Sequence, residues 1–317
     1  MNQEFSQLSQ EIQKHRSFAV VCHKKPDGDA VGCVLAFASY LESLGKQVQK
    51  YCVDEVPSYL SFLPESELIK KPKDEFWQNS DAVVMLDCGD LGMSGIDREE
   101  LQDRVIVNID HHISNSGYGA VNLVQHTSAA TAEILYNYFE EVQFKIDKPA
   151  ATNLLCGVYT DTDAFTNLGT TPESLRVSSE LLKLGANFKE ITAQTMRNKS
   201  VASLKLWGRA LERLRFDAKK GIAVTVIKHT DFDECGAEPD DTEGVANLLN
   251  HLSDVKMAMV LRDLGDGMVK GSLRTTKELI DVSQIAKLMG GGGHAKAAGF
   301  TVKGKVIESD NRWKIVE

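Results

Sequence analysis

No C-x-x-C pair occurs in this 317-residue sequence, and its six cysteines, at 22, 33, 52, 88, 156 and 235, mostly sit in apolar runs. That usage excludes a zinc or disulfide framework and reads as reduced core residues. No apolar stretch approaches the ~18–20 residues of a membrane span. The opening MNQEFSQLSQEIQKHRS has neither the apolar core of a secretory signal nor the Arg-rich, acid-poor look of a transit peptide. A cytoplasmic protein without membrane contact is expected. With 7 Pro and 24 Gly and no internal repeat, a collagen-like or low-complexity chain is excluded. Positive charge is scarce: 36 Lys+Arg face 45 Asp+Glu, a formal net charge of −9. A broad basic track for long nucleic acid is therefore not expected. A small anionic substrate held through metal ions stays open, since metal-binding acids are counted in that excess.

What is present is an ordinary globular composition, 42% hydrophobic and 26% charged, long enough for two domains. Ser17–Cys22, Ala82–Leu86 and 105–109 are short apolar runs, the mark of strands buried on both faces. A further strand is expected over 47–53, with helices over 30–44, 127–141 and 149–160. Strands alternating with helices predict an α/β fold with a parallel sheet, its functional loops at the carboxyl ends of the strands. The pattern turns helical and more charged from about 174 to 215. We expect an N-terminal domain over 1–186, a helical linker over 187–216 and a smaller α/β C-terminal substrate-binding domain over 217–317. Within the last, strands are expected at 222–227, 256–262 and 268–273, and helices at 242–252 and 281–289.

Four clusters carry chemistry. His23-Lys24-Lys25-Pro26-Asp27-Gly28-Asp29-Ala30 follows the first buried strand, and its Pro and Gly shape a turn that can aim both carboxylates at one point. Its bland alternative, a loop with Asp29 as helix cap, is about as probable taken alone. Asp87-Cys88-Gly89-Asp90 ends the 82–86 run, and a carboxylate closing a buried strand is costly unless a cation meets it. Asn108-Ile109-Asp110-His111-His112 ends the third run, and its residue types suit a metal ligand, an orienting carboxylate and a proton donor. Thr160-Asp161-Thr162-Asp163 closes a mostly apolar helix. A lone histidine pair on a loop is usually solvated surface, but three strand ends delivering Asp/His clusters is a repeated coincidence. The set is rich in carboxylate, mixed O/N and free of thiolate, which suits Mn²⁺ or Mg²⁺ better than Zn²⁺. Farther along, Gly290 to Gly293 precede His294, and four glycines let backbone N–H groups approach an anion closely. A flexible loop is the competing explanation of any glycine run. Arg274 ends a strand candidate and offers a planar, bidentate donor.

The order H-x-x-P-D-G-D-A, D-x-G, D-H-H and T-D closely resembles the DHH phosphoesterases, and G-G-G-G-H-A-K-A-A-G-F at 290–300 resembles the signature of their associated C-terminal domain. The pairing and length are similar to the nanoRNase (NrnA-like) type, and the resemblance runs from about residue 17 to residue 300. It implies two divalent ions, Mn²⁺ before Mg²⁺. His23 and Asp27 hold one ion and Asp29, His111 and Asp161 the other, with Asp87 bridging. It implies that Asp110 orients the histidines and that His112 faces the scissile phosphate. It also implies that Arg274 with Gly291, Gly292, Gly293 and His294 grips the substrate's phosphate and terminal nucleotide, in a cleft between the domains. Two positions depart from the family: Cys33 stands where Ser is usual, and Asp163 where Gly is frequent. Cys33 reads as a core-facing helix residue, whereas Asp163 adds a carboxylate beside a ligand.

The resemblance thus implies a metal-dependent phosphoesterase that degrades short oligoribonucleotides to mononucleotides and dephosphorylates 3′-phosphoadenosine 5′-phosphate (pAp). Its partners are short RNA oligonucleotides or small nucleotides and, at most, a second copy in a homodimer. A linear or cyclic dinucleotide phosphodiesterase or a polyphosphatase keeps the chemistry and changes the substrate. A nucleotide sensor that has lost catalysis ranks lower, because every expected ligand is present.

Overall fold

The computed structural model describes residues 3–101, 104–195, 199–293, 295–309 and 312–316. The chain divides into two compact units, Met1–Asn198 and Lys199–Glu317, and the division falls inside the segment expected to be a linker. Unit one opens with α1 (Gln3–Lys14), β1 (Ser17–Cys22), α2 (Gly28–Ser43), β2 (Gln47–Tyr51) and α3 (Glu75–Asn79). It continues with β3 (Ala82–Leu86), α4 (Arg98–Leu101), β4 (Val105–Asp110) and β5 (Val121–Val124). Four helices close it: α5 (Thr131–Glu141), α6 (Lys148–Asp161), α7 (Pro172–Lys183) and α8 (Phe188–Thr195).

The five strands form one parallel sheet in the order β2-β1-β3-β4-β5. Residues of one strand alternate between its faces. Phe18, Val20, Val84, Leu86, Val107 and Ile109 join the larger core, which also takes in α2, α5 and α6. Ala19, Val21, Val83 and Met85 pack on the other face with Trp77, Ile96 and Leu101. Because β2 and β3 lie on opposite sides of β1, the chain direction across the sheet reverses between β1 and β3. The crevice at such a switch point, beyond the strands' carboxyl ends, is where α/β sheets bind ligands.

Two glycines let α6 approach α2. A Cβ on Gly32 would lie 2.2 Å from the Asn153 carbonyl oxygen, and one on Gly157 would lie 2.4 Å from the Asp29 carboxylate. The same contact presses Asp29 against the start of α5. That helix begins at Thr131, four residues later than the periodicity suggests, because Ala130 has no capping side chain. The Asp29 carboxylate supplies the cap instead, accepting from Thr131 N at 2.7 Å and Ala132 N at 3.0 Å.

Unit two contains α9 (Val201–Glu212), β6 (Arg215–Asp217), β7 (Ile222–Ile227), α10 (His229–Cys235) and α11 (Val245–Leu249). Next come β8 (Met257–Asp263), β9 (Met268–Arg274), α12 (Val282–Leu288), β10 (Gly292–Gly293) and β11 (Ala297–Lys303). A hairpin of β12 (Lys305–Ser309) and β13 (Arg312–Val316) ends it. The six-stranded sheet runs β10-β11-β9-β8-β7-β6, with only β7 and β8 parallel. The helix expected over 242–252 is a 3₁₀ turn at Pro239–Thr242 and then the short α11, because Gly244 at φ 92 breaks the helical path.

Arg213 and Asp231 tie α10 to the segment after α9. Arg213 donates to both Asp231 oxygens, one at 2.8 Å, and Lys228 N donates at 2.7 Å. Burial pushes the Asp231 carboxyl up, but Arg213 and that amide outweigh it and hold it below the usual range. Asp231→Ala is expected to cost about 3 kcal/mol, the low end for a buried pair, because the Arg213 side chain is 17% exposed. A depressed carboxyl contributes stability above its unfolded pKa of about 3.9 that is lost as pH falls through the folded value. Urea melts should therefore show the gap between the parent protein and the variant narrowing below about pH 4. A gap constant with pH would assign the loss to packing.

Candidate metal centre

The carboxyl ends of β1, β3 and β4 and the last turn of α6 deliver seven Asp and His side chains to one place. Donor atoms of His23, Asp27 and Asp87 lie within 4.8 Å of one another, as do those of Asp29, His111 and Asp161, and those of Asp87, His111 and His112. Asp87 connects the groups. Its Oδ2 is 3.4 Å from His23 Nε2, and its Oδ1 is 3.6 Å from His111 Nε2. The Asp87 amide is anchored by donating to Ile109 O at 3.0 Å, and Thr131 Oγ1 donates to Asp87 Oδ1 at 3.0 Å. Its φ of 57° puts a non-glycine residue in the left-handed region. Lys25, Asp163, Ala164 and Phe165, also at positive φ, lie in the other clusters or just beyond them. Such strain of about 1–3 kcal/mol per residue persists where the surroundings over-determine it.

Hydrogen bonding distinguishes the three histidines. His23 Nδ1 lies 2.9 Å from Lys24 O, and His111 Nδ1 lies 3.2 Å from Ser128 O. A carbonyl only accepts, so each Nδ1 carries hydrogen and each Nε2 is the nitrogen turned to the carboxylates. His111 Nε2 is 3.0 Å from Asp161 Oδ2. His112 instead sets its Nδ1 against carboxylates, 2.6 Å from Asp110 Oδ1 and 3.6 Å from Asp87 Oδ1. Asp27 caps α2, its Oδ1 accepting from Asp29 N and Ala30 N at 3.1 Å, so Asp27 and not Asp29 has the capping role.

The electrostatics describe a site short of positive charge. Burial would lower the His23 imidazole, but Asp27 and Asp87 outweigh it and raise its pKa to about 12. Burial likewise opposes His111, which Asp161 and then Asp87 and Asp29 raise to about 11. Burial raises Asp161 to about 6, and Asp27 and Asp87 add to this against His111. Burial, Asp87 and Asp161 push Asp29 up as well. Protons thus take the place of cations among crowded carboxylates, which is the condition a bound divalent ion relieves. The donors are carboxylate oxygen and imidazole nitrogen without sulfur, a set that fits hard divalent ions.

Cys33 does more than fill the core: its buried thiol lies 3.4 Å from Asp29 Oδ1 and donates to it. Thr131 and Asn115 were not singled out by sequence reasoning. Asn115 Nδ2 donates to Asp110 Oδ2 at 2.7 Å. A hydroxyl on a helix N-terminus and an asparagine three residues past the histidines carry no signal of their own.

In unit two, Arg274 ends β9 and pairs in register with Ala297, while Gly293 pairs with the next β11 residue, Ala298. Arg274 Nε donates to Asn247 Oδ1 at 2.8 Å, and Nη1 donates to Leu273 O at 2.9 Å. Gly292 and Gly293 are strand residues at the sheet edge, and Gly291 packs closely against β11, where a Cβ would lie 2.1 Å from Gly299 O. His294 lies outside the described residues. No helix among the described residues is long and apolar enough to cross a membrane.

Comparison with known proteins adds the lineage. The DHH family, N-terminal domain, matches residues 17–158, and the DHHA1 domain matches residues 219–312. A Thermus thermophilus protein named bifunctional oligoribonuclease and PAP phosphatase NrnA is 32% identical over 285 residues, 90% of this chain and 84% of the relative. A Mycoplasma pneumoniae protein of the same name is 24% identical, covering 93% of this chain and 90% of the relative. An exopolyphosphatase-related protein from Bacteroides fragilis shares the fold at TM-score 0.89 and 23% identity, covering 96% of this chain and 92% of that one. With its Asp/His clusters at the sheet's switch point and a DHHA1 domain later in the sequence, the chain belongs to the DHH family of phosphoesterases.

Proposed function

We propose that this protein hydrolyses short oligoribonucleotides to mononucleotides and pAp to AMP with two divalent ions, Mn²⁺ first. The observation that carries the reading is Asp87, whose two oxygens face two different histidines within joined donor groups. The printed activities of the Thermus and Mycoplasma relatives support the substrate class. His23 and Asp27 would hold one ion, Asp29, His111 and Asp161 the other, and Asp87 both. When bound, the ions supply Lewis-acid charge and an acidified water at the phosphate.

The chain's own residues do the rest. Asp110 holds the Nδ1 proton of His112, so the imidazole keeps one orientation and presents Nε2 as the donor for the leaving oxygen. Burial lowers the His112 pKa, but Asp110 and Asp87 outweigh it and raise it above the ordinary imidazole value. In unit two, Arg274 with Gly291, Gly292, Gly293 and His294 would bind the substrate's phosphate and terminal nucleotide.

A site of this size gains nothing from added nucleotides, and a chain of net charge −9 repels them. With Mn²⁺, kcat/KM is expected to fall steeply along a ladder of labelled RNAs beyond a few nucleotides, with pAp hydrolysed in parallel. An equal or better kcat/KM on a twenty-nucleotide RNA than on a dinucleotide would overturn the reading and point to a processive nuclease. Preference for cyclic or 5′-phosphorylated dinucleotides would move it to a dinucleotide phosphodiesterase.

A further inference from the structure

We propose that Asn115 is a positioning residue for the phosphoester hydrolysis, acting on His112 through Asp110; the inference rests on the hydrolase reading above. Asn115 is 8% exposed and Asp110 is fully buried. The orientation of the Asn115 amide is settled by two groups with no freedom of role. Gly117 N, a backbone donor, lies 2.8 Å from Asn115 Oδ1, so that atom is the oxygen. Cys88 O, an obligate acceptor, lies 3.2 Å from Asn115 Nδ2, so that atom is the nitrogen. Asn108 Nδ2 donates to the same Asn115 oxygen at 3.1 Å.

The Asn115 amide nitrogen therefore donates to Asp110 Oδ2 at 2.7 Å. That bond fixes the plane of the carboxylate, whose other oxygen accepts from His112 Nδ1 at 2.6 Å. The imidazole is left with Nδ1 as the hydrogen-bearing nitrogen toward Asp110. Cys88 O, one residue after Asp87, also accepts from Tyr118 Oη at 3.0 Å, so the loop beyond β3 and the loop beyond β4 share one network. Asn115 donates to Asp110, which lies outside the proposed metal-ligand set, so its effect on turnover runs through the carboxylate plane and the ring it holds.

The substitution that separates this role from packing is Asn115→Asp. It conserves shape but turns a donor into an acceptor, so two carboxylates face each other where one hydrogen bond stood. Positioning predicts that the isosteric Asp variant is at least as damaged as Asn115→Ala. Packing predicts that the Asp variant is the milder of the two. With Mn²⁺ and bis(p-nitrophenyl) phosphate, kcat of Asn115→Asp should fall by about 10–100-fold, the range for residues that orient active groups. KM and bound Mn²⁺ should stay near those of the parent, and Asn115→Gln, which keeps the donor, should recover part of the loss. An Asp variant within twofold of the parent kcat, or one losing metal and thermal stability in step with activity, overturns the inference. A parent protein that cleaves no phosphoester overturns the hydrolase reading instead.

Discussion

Replacing Asp87 with alanine is expected to abolish hydrolysis and to lower metal occupancy sharply while the fold persists. The carboxylate is 2% exposed and stands between His23 and His111, with Thr131 donating to the oxygen on the His111 side. Removing it separates the donor groups and leaves two histidines that lose one of the causes of their raised pKa, after Asp27 for His23 and Asp161 for His111. The fold does not depend on that carboxylate, because the strand is held by its ladder and by the hydrogen bond that the Asp87 N–H donates to Ile109 O. Alanine at φ 57 is strained in its own right, so Asp87→Asn provides the control, since Asn tolerates the left-handed region. Elemental analysis of both variants should show Mn²⁺ well below two per chain, with circular dichroism unchanged. Both ions retained with near-normal turnover would exclude the bridging role.

Replacing His112 with alanine is expected to lower kcat by about 10²–10⁴-fold, the range for loss of a general acid or base, with metal content little changed. The two histidines of the pair have different partners. His111 turns Nε2 toward Asp161 and Asp87, whereas His112 turns Nδ1 toward Asp110. On the proposed reading, a group fixed in that way serves charge developing at the phosphate more than it holds an ion. Turnover and bound Mn²⁺ measured on the same preparation decide it. If the variant loses one ion and recovers turnover as Mn²⁺ is raised, the two roles must be exchanged.

Some of this was legible in the residues alone. The bounds of β1 and β3 coincide with apolar runs because a strand buried on both faces has no polar position to interrupt it. The clusters His23 to Asp29, Asp87 and Asp110 to His112 stood out because they end those runs, where an unpaired charge is costly. Edges and ends were harder. The edge strand β5 is four residues long and buries only Leu123, and the half-buried positions of β12 and β13 stand among exposed, charged ones. The glycines at 292 and 293 read equally as a loop, and only pairing with β11 makes them a strand.

By itself the sequence determined which residue types stand at which strand ends, and hence the family and the parallel sheet. It could not determine who orients whom. Asp29 caps a helix 102 residues away, Thr131 reaches Asp87 across 44, and the amide of Asn115 is oriented by Gly117 and Cys88. Those roles belong to the tertiary structure because a hydrogen bond depends on distance and direction in space. Local sequence spacing encodes neither once the chain crosses from one strand to another.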